Sequence, residues 1–157
     1  MKLWRIAADT RQYRAGDLTG AGAARAPGRW NDVGEPVIYA ALTISMAVLE
    51  TAAHIDDHGL PLNRYLLELN VPQDVWALRE ELDMATLPPT WSAIPAGQAS
   101  VRIGSAWLAS LRSPILLVPS VLVPEERAAL INTSHPQSKR ISARVLRLFE
   151  YNRLFRS

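Results

Sequence analysis

Arg64-Tyr65-Leu66-Leu67-Glu68-Leu69-Asn70-Val71 sets Tyr65, Leu67, Leu69 and Val71 on one side of an extended chain and Arg64, Glu68 and Asn70 mostly on the other. That period of two marks a half-buried strand. On its N-terminal side, Ile44, Ala47, Val48, Thr51 and Ile55 share one helical face from residue 43 until Gly59 and Pro61 end the pattern. Residues 36–41, with Val37, Ile38 and Tyr39, are β-formers suited to a buried strand. Residues 2–7 predict a short strand, followed by a loop over 9–32 that carries Gly16, Gly20, Gly22, Pro27 and Gly28. A loop of that length inside one domain is often functional.

On the C-terminal side, residues 72–97, with Pro88-Pro89 and Pro95, read as loop with a short helical turn. A helix is predicted over 99–111, where Ile103, Trp107, Leu108 and Leu111 recur at helical spacing. Residues 115–123 form a strand interrupted by Pro119, which must bulge or lie at an edge where no ladder donor is needed. A turn over 132–136 leads to a last strand over 144–151. Strands outnumber helices and do not alternate regularly with them, so the fold class is α+β rather than a doubly wound parallel sheet. With 157 residues and no repeat or linker, a single domain over 1–157 is expected.

Hydrophobic residues make up 48% and charged residues 20%, the composition of a chain that folds. There is no cysteine, which excludes disulfides, Cys-ligated metals and a thiolate nucleophile. Arg5 interrupts the N-terminus before an apolar segment forms, and apolar runs such as residues 115–118 are far too short to span a membrane. A cytoplasmic protein is expected. Net charge is only +2, and Arg5, Arg11, Arg14, Arg25 and Arg29 are interspersed with Asp9, Asp17 and Asp32 rather than forming the basic stripe of a nucleic-acid binder. Arginines so placed suit recognition of phosphate or carboxylate.

The densest candidate for chemistry is Gly28-Arg29-Trp30-Asn31, with Tyr39 ten positions after Arg29 and Glu50 eleven after Tyr39. An Arg beside Gly can grip a pyrophosphate bidentately, a Tyr can stack on a heteroaromatic ring, and a carboxylate can stabilise a glycosyl cation. The set suits a nucleotide with a cleavable N-glycosidic bond. The competing reading makes Arg29 the partner of a surface acid, Trp30 core and Tyr39 an ordinary strand aromatic. Glu50 lies on the flank of the apolar helical stripe, where its carboxylate can border a cleft. Glu50, His54 and His58 share a helical face, but their spread of roughly 12 Å along the axis is too long for one metal ion, so no metal is expected.

Five landmarks in order, Gly28-Arg29-Trp30-Asn31, residues 37–41, Ala47-Val48-Leu49-Glu50, Val118-Pro119-Ser120, and Leu130-Ile131-Asn132 with His135-Pro136, resemble the RES-domain toxins of bacterial toxin–antitoxin pairs. Arg102-Ile103-Gly104 with Trp107 is also similar to that family. The resemblance implies a fold like that of ADP-ribosyltransferase toxins, a split β-sheet core clasping NAD. It carries the family's arginine, glutamate and serine onto Arg29, Glu50 and Ser120, with Tyr39 beside them as catalytic residues. Arg5, Arg29, Trp30, Asn31, Tyr39 and Asn132 then become nucleotide-binding candidates. No Gly-x-Ser-x-Gly elbow surrounds Ser120, so it is expected to donate a hydrogen bond to substrate or to Glu50 rather than to act as a nucleophile.

The same resemblance makes NAD the substrate, with no cofactor besides it. Arg29 would hold a phosphate, Tyr39 would lie against the nicotinamide or its ribose, and Glu50 would stabilise the oxocarbenium charge as nicotinamide leaves. Water, inorganic phosphate or a protein side chain would accept the ADP-ribosyl group; NAD degradation is placed ahead of protein ADP-ribosylation. An Xre-type helix-turn-helix antitoxin in a hetero-oligomer is the implied partner, without direct binding to nucleic acid or membrane. A nucleic-acid-acting toxin and a non-catalytic interaction protein are the rivals. The scattered charge argues against the first, and joint retention of Arg29, Tyr39, Glu50 and Ser120 against the second.

Overall fold

Residues 1–155, which the computed structural model describes, run β1 (Lys2–Ala8), α1 (Ala21–Arg25), β2 (Ile38–Ala41), α2 (Ile44–Ala52), β3 (Arg64–Asn70), α3 (Gln73–Trp76), β4 (Glu80–Glu81), α4 (Gln98–Ser110), β5 (Ile115–Pro119), β6 (Arg127–Ile131) and β7 (Ser142–Phe149). The strands form one sheet in the order β4-β5-β6-β2-β1-β3-β7. Its pairs are antiparallel except β4 with β5. The α+β expectation holds.

Alternation along the central strands sorts the apolar side chains onto two faces. Leu3, Ile38, Ala40, Leu69, Ile115, Leu117, Ala129 and Ile131 build the core of one face. On the other, Ile6, Ala41 and Leu66 receive Met46 and Ala47 of α2, and Val37, Leu116, Val118 and Leu130 receive Trp107 and Leu108 of α4. Both longer helices therefore cover the same face. The sheet is weakly joined at its centre: β1 and β2 share a single register pair, Trp4 with Ala41. Beyond that pair the Arg5 guanidinium reaches across, its Nη1 donating to the Tyr39 carbonyl at 2.9 Å.

Several elements differ from the sequence expectation. The predicted loop over 9–32 contains α1. The helix after residue 43, capped by the Thr43 hydroxyl accepting from Met46 N–H, ends at Ala52 rather than near Gly59. His54 and Ile55 donate only three residues back, to Thr51 and Ala52, and these tight turns drop Ile55 onto the core while taking His54 and His58 off the helix. The strand begun at Ile115 stops at Pro119: Ser120 N–H still reaches the opposed Glu126 carbonyl, but Glu126 N–H turns to the Val123 carbonyl and closes the hairpin into β6. Sequence reading missed β6, and β4 lay unseen in the proline-rich segment. Pro119 meets the expected condition differently: β4 pairs only as far as Leu117, so Pro119 has no neighbour on that side to which a donor is owed.

Candidate functional site

Glu50 stands on the last turns of α2, and Ser120 at the end of β5, where the chain leaves the sheet. Ser120 Oγ donates to Glu50 Oε1 at 2.6 Å across a separation of 70 residues. The same oxygen accepts from the N–H groups of Leu122 at 3.1 Å and Val123 at 3.2 Å. A hydroxyl has one hydrogen and two lone pairs, so those two donors occupy the acceptors and commit the proton to Glu50. Of the two partners expected for Ser120, the carboxylate is the one to which it donates here.

Arg29 is a cation within reach of the Glu50 charge. Burial lowers its affinity for the proton, and the negative charge of Glu50, followed by Tyr39, opposes that effect. Its Nη1 donates to the carbonyls of Trp91 at 3.0 Å and Ala93 at 2.7 Å. Neither partner is the surface acid of the competing reading.

The Tyr39 hydroxyl has a structural part that sequence reasoning did not assign. Its hydroxyl donates to Asn31 Oδ1 at 2.7 Å and accepts from Trp30 N–H at 3.0 Å. Burial pushes its phenol up to about 12, so it stays protonated near neutrality. A Cβ on Gly28 would lie 2.7 Å from the Tyr39 ring and hydroxyl, so residue 28 must be glycine for the loop to seat against that ring. Tyr39 thus pins the Arg29 loop to β2. Replacing it with Phe leaves the Trp30 N–H without its acceptor and removes one donor from Asn31. The expected loss is about 1–3 kcal/mol, or roughly 2–12 °C in Tm for a chain of this size, measured by thermal melting.

Three of the residues expected to touch nucleotide instead face inward. Asn31 is buried; its Oδ1 accepts from Gly28 N–H and Tyr39, and its Nδ2 is shared among the carbonyls of Ala23, Asp32 and Glu35. Asn132 is buried too, donating to the Leu108 carbonyl and accepting from Ser134 N–H. Asn31 is saturated, and a ligand would have to break bonds it already makes. Trp30 is core, stacked on Trp91 at 6.1 Å between centroids with a 24° tilt. These three side chains are buried and shape the site from within. Arg5 shares the face of Leu3 and Ala7, opposite the one that α2 covers. It lines a cleft of about 130 Å³ with Thr10, Tyr13, Arg14 and Asp17, across the sheet from Glu50. Burial lowers its pKa, with Asp17 opposing.

Sequence reasoning missed α4 as the mount of the Arg29 loop. Ser100, fully buried, donates from Oγ to the Arg29 carbonyl at 2.9 Å. A Cβ on Gly104 would lie 1.7 Å from the Trp30 carbonyl oxygen, so the loop backbone lies directly on the helix there. Ser100 and Gly104 stand four apart on one helical face, and that spacing of small residues was the available signal. Among the described residues no three His, Asp or Glu side chains gather as a metal-ligand set, and no helix is long and apolar enough to cross a membrane.

Residues 2–151 match the model of the RES domain family. The chain is 51% identical over 149 residues to the Prs ADP-ribosylating toxin of a Sphingobium strain, covering 95% of this chain and 92% of that one. It is 38% identical over 135 residues to Toxin Res of Yersinia enterocolitica, covering 86% of each, and 34% identical over 157 residues to Toxin Res of Pseudomonas putida, covering 99% and 100%. Among solved structures, a chain of the M. tuberculosis MbcT–MbcA toxin–antitoxin complex superposes with a TM-score of 0.62 at 18% identity, covering 92% of this chain and 83% of that one.

Proposed function

Because the chain belongs to the RES-domain family of toxins, we propose that its Glu50 site consumes NAD by breaking the bond between nicotinamide and ribose. The observation that carries the reading is the Ser120–Glu50 hydrogen bond of 2.6 Å, on the face where Arg29 feels the Glu50 charge. A carboxylate aimed by a donor that cannot turn elsewhere is a preorganised electrostatic stabiliser. The nicotinamide ring is cationic in NAD, so when its bond to the ribose C1′ breaks, both electrons go to the ring nitrogen and neutral nicotinamide departs. The positive charge left on the ribose is what Glu50 stabilises. Water or inorganic phosphate then bonds to C1′, the water losing a proton, to give ADP-ribose or its phosphate ester.

A second reading has a specific support: the Sphingobium relative, half identical to this chain, is named for ADP-ribosylation. Under it the acceptor is a protein side chain and the first step is unchanged. An Xre-type helix-turn-helix antitoxin, bound in a hetero-oligomer, is the proposed partner; the support is that the structural neighbour is a toxin–antitoxin complex. The activity would draw on the cytoplasmic NAD pool.

The test is incubation of the purified chain with NAD, with and without inorganic phosphate, with products separated and weighed. Free ADP-ribose means hydrolysis, a phosphate ester means phosphorolysis, and label retained on added protein means transfer. If no nicotinamide is released under any of these conditions, the proposal is wrong. Arg29→Lys provides a graded check. Lysine keeps the charge but has no planar fork, so NAD binding is expected to weaken by about 1–3 kcal/mol. Calorimetric titration that returns the parent affinity would take Arg29 off the phosphate.

A further inference from the structure

One continuous run of chain, from Trp91 to Gly104, grips Arg29 at both ends. The guanidinium Nη1 is held by the Trp91 and Ala93 carbonyls, and the backbone carbonyl is held by Ser100 at the start of α4. Trp91 adds its stacking on Trp30, and Gly104 lets the Trp30 backbone lie against the helix. At the far end of the loop, Ser105 Oγ donates to Glu35 Oε1 at 2.6 Å, and the same oxygen accepts from Asp32 N–H at 2.6 Å.

Ser100 is the informative member. A buried serine inside a helix is ordinarily satisfied by a carbonyl three or four residues back in its own helix. Here that local acceptor, Gly97, is 3.5 Å away, whereas the Arg29 carbonyl is 2.9 Å away. The hydroxyl is therefore spent on the loop. With Nη1 engaged by two carbonyls, Arg29 makes no hydrogen bond from Nε or Nη2 among the described residues. That edge carries parallel donors, the geometry suited to two oxygens of one phosphate.

We infer that Ser100 is a positioning residue, which, together with the Trp91 and Ala93 carbonyls, sets the Nε–Nη2 edge of Arg29 toward the substrate. The inference rests on the NAD reading for its substrate, but its mechanical part stands on the contacts above. Ser100→Ala is expected to raise KM for NAD about tenfold while kcat stays within about twofold, since the hydroxyl acts on binding and not on the breaking bond. Ser100→Thr, which restores a hydroxyl, is expected to recover most of the loss.

A readout that needs no NAD accompanies the kinetics: phenylglyoxal modification of Arg29, followed by peptide mass spectrometry with exposed Arg144 as internal reference. Releasing the Arg29 loop should speed that reaction several-fold in Ser100→Ala. A lower Tm with KM and the Arg29 modification rate both at parent values would overturn the inference and leave Ser100 an ordinary core serine. A parent protein that releases no nicotinamide would sink the NAD reading instead, and the phenylglyoxal comparison would still decide whether Ser100 governs Arg29.

Discussion

Glu50→Gln is expected to fold as the parent does and to lose NAD consumption by about 100- to 1,000-fold, the usual cost of deleting one preorganised electrostatic contact to a transition state. The local geometry predicts how the amide will sit. Leu122 and Val123 N–H groups already occupy the Ser120 lone pairs, so that hydroxyl must donate, and it will select the amide oxygen over the amide nitrogen. The 2.6 Å contact is thereby kept, and the negative charge is removed. Size and hydrogen bonding stay constant while the stabilisation of positive charge on the ribose is lost. Nicotinamide release, measured beside circular dichroism, checks it. A folded Glu50→Gln protein with parent turnover would remove Glu50 from the mechanism.

Gly104→Ala is expected to be the most damaging single methyl that can be added to α4. Alanine is favoured over glycine inside helices by about 1 kcal/mol, so propensity alone predicts stabilisation. The structure predicts the opposite sign, since the new Cβ would sit 1.7 Å from the Trp30 carbonyl oxygen and 2.6 Å from its carbon. The atoms met are backbone, so no side chain can rotate out of the way. Either α4 or the Arg29 loop must move, breaking the Ser100 contact four residues earlier. A loss of at least about 3 kcal/mol is expected, at the upper end for overpacking, equivalent to roughly 6–12 °C in Tm. Thermal melting decides it, and a Tm equal to or above that of the parent would show that helix and loop do not touch there.

How much of this was legible in the sequence follows from the range of each physical signal. The alternation in β3 and the helical stripes of α2 and α4 are local periodicities, and each element appeared near its expected place. β6 did not announce itself, because Arg127-Ala128-Ala129-Leu130-Ile131 carries two alanines, which are weak strand formers. It is a strand because β2 and β5 flank it and satisfy its backbone on both sides. β4, two residues long, is likewise defined only by its partner. The early end of α2 had no Gly or Pro to mark it; two short turns and the demand of Ile55 for the core decide it.

The sequence by itself determined the α+β class, the resemblance to the RES-domain toxins, and a glutamate on the flank of an apolar helical stripe. All of these depend on spacing within a short window or on residue identity in order. Only the tertiary structure decided that the Ser120 proton goes to Glu50, that Tyr39 holds a loop, and that Trp30, Asn31 and Asn132 turn inward. It likewise placed Arg5 on the far face of the sheet and Arg29 under Ser100. The reason is common to all of them: a polar side chain takes the acceptor or donor that folding brings within about 3 Å, and for these residues most such partners come from other elements of the chain, a choice that spacing along the chain does not encode.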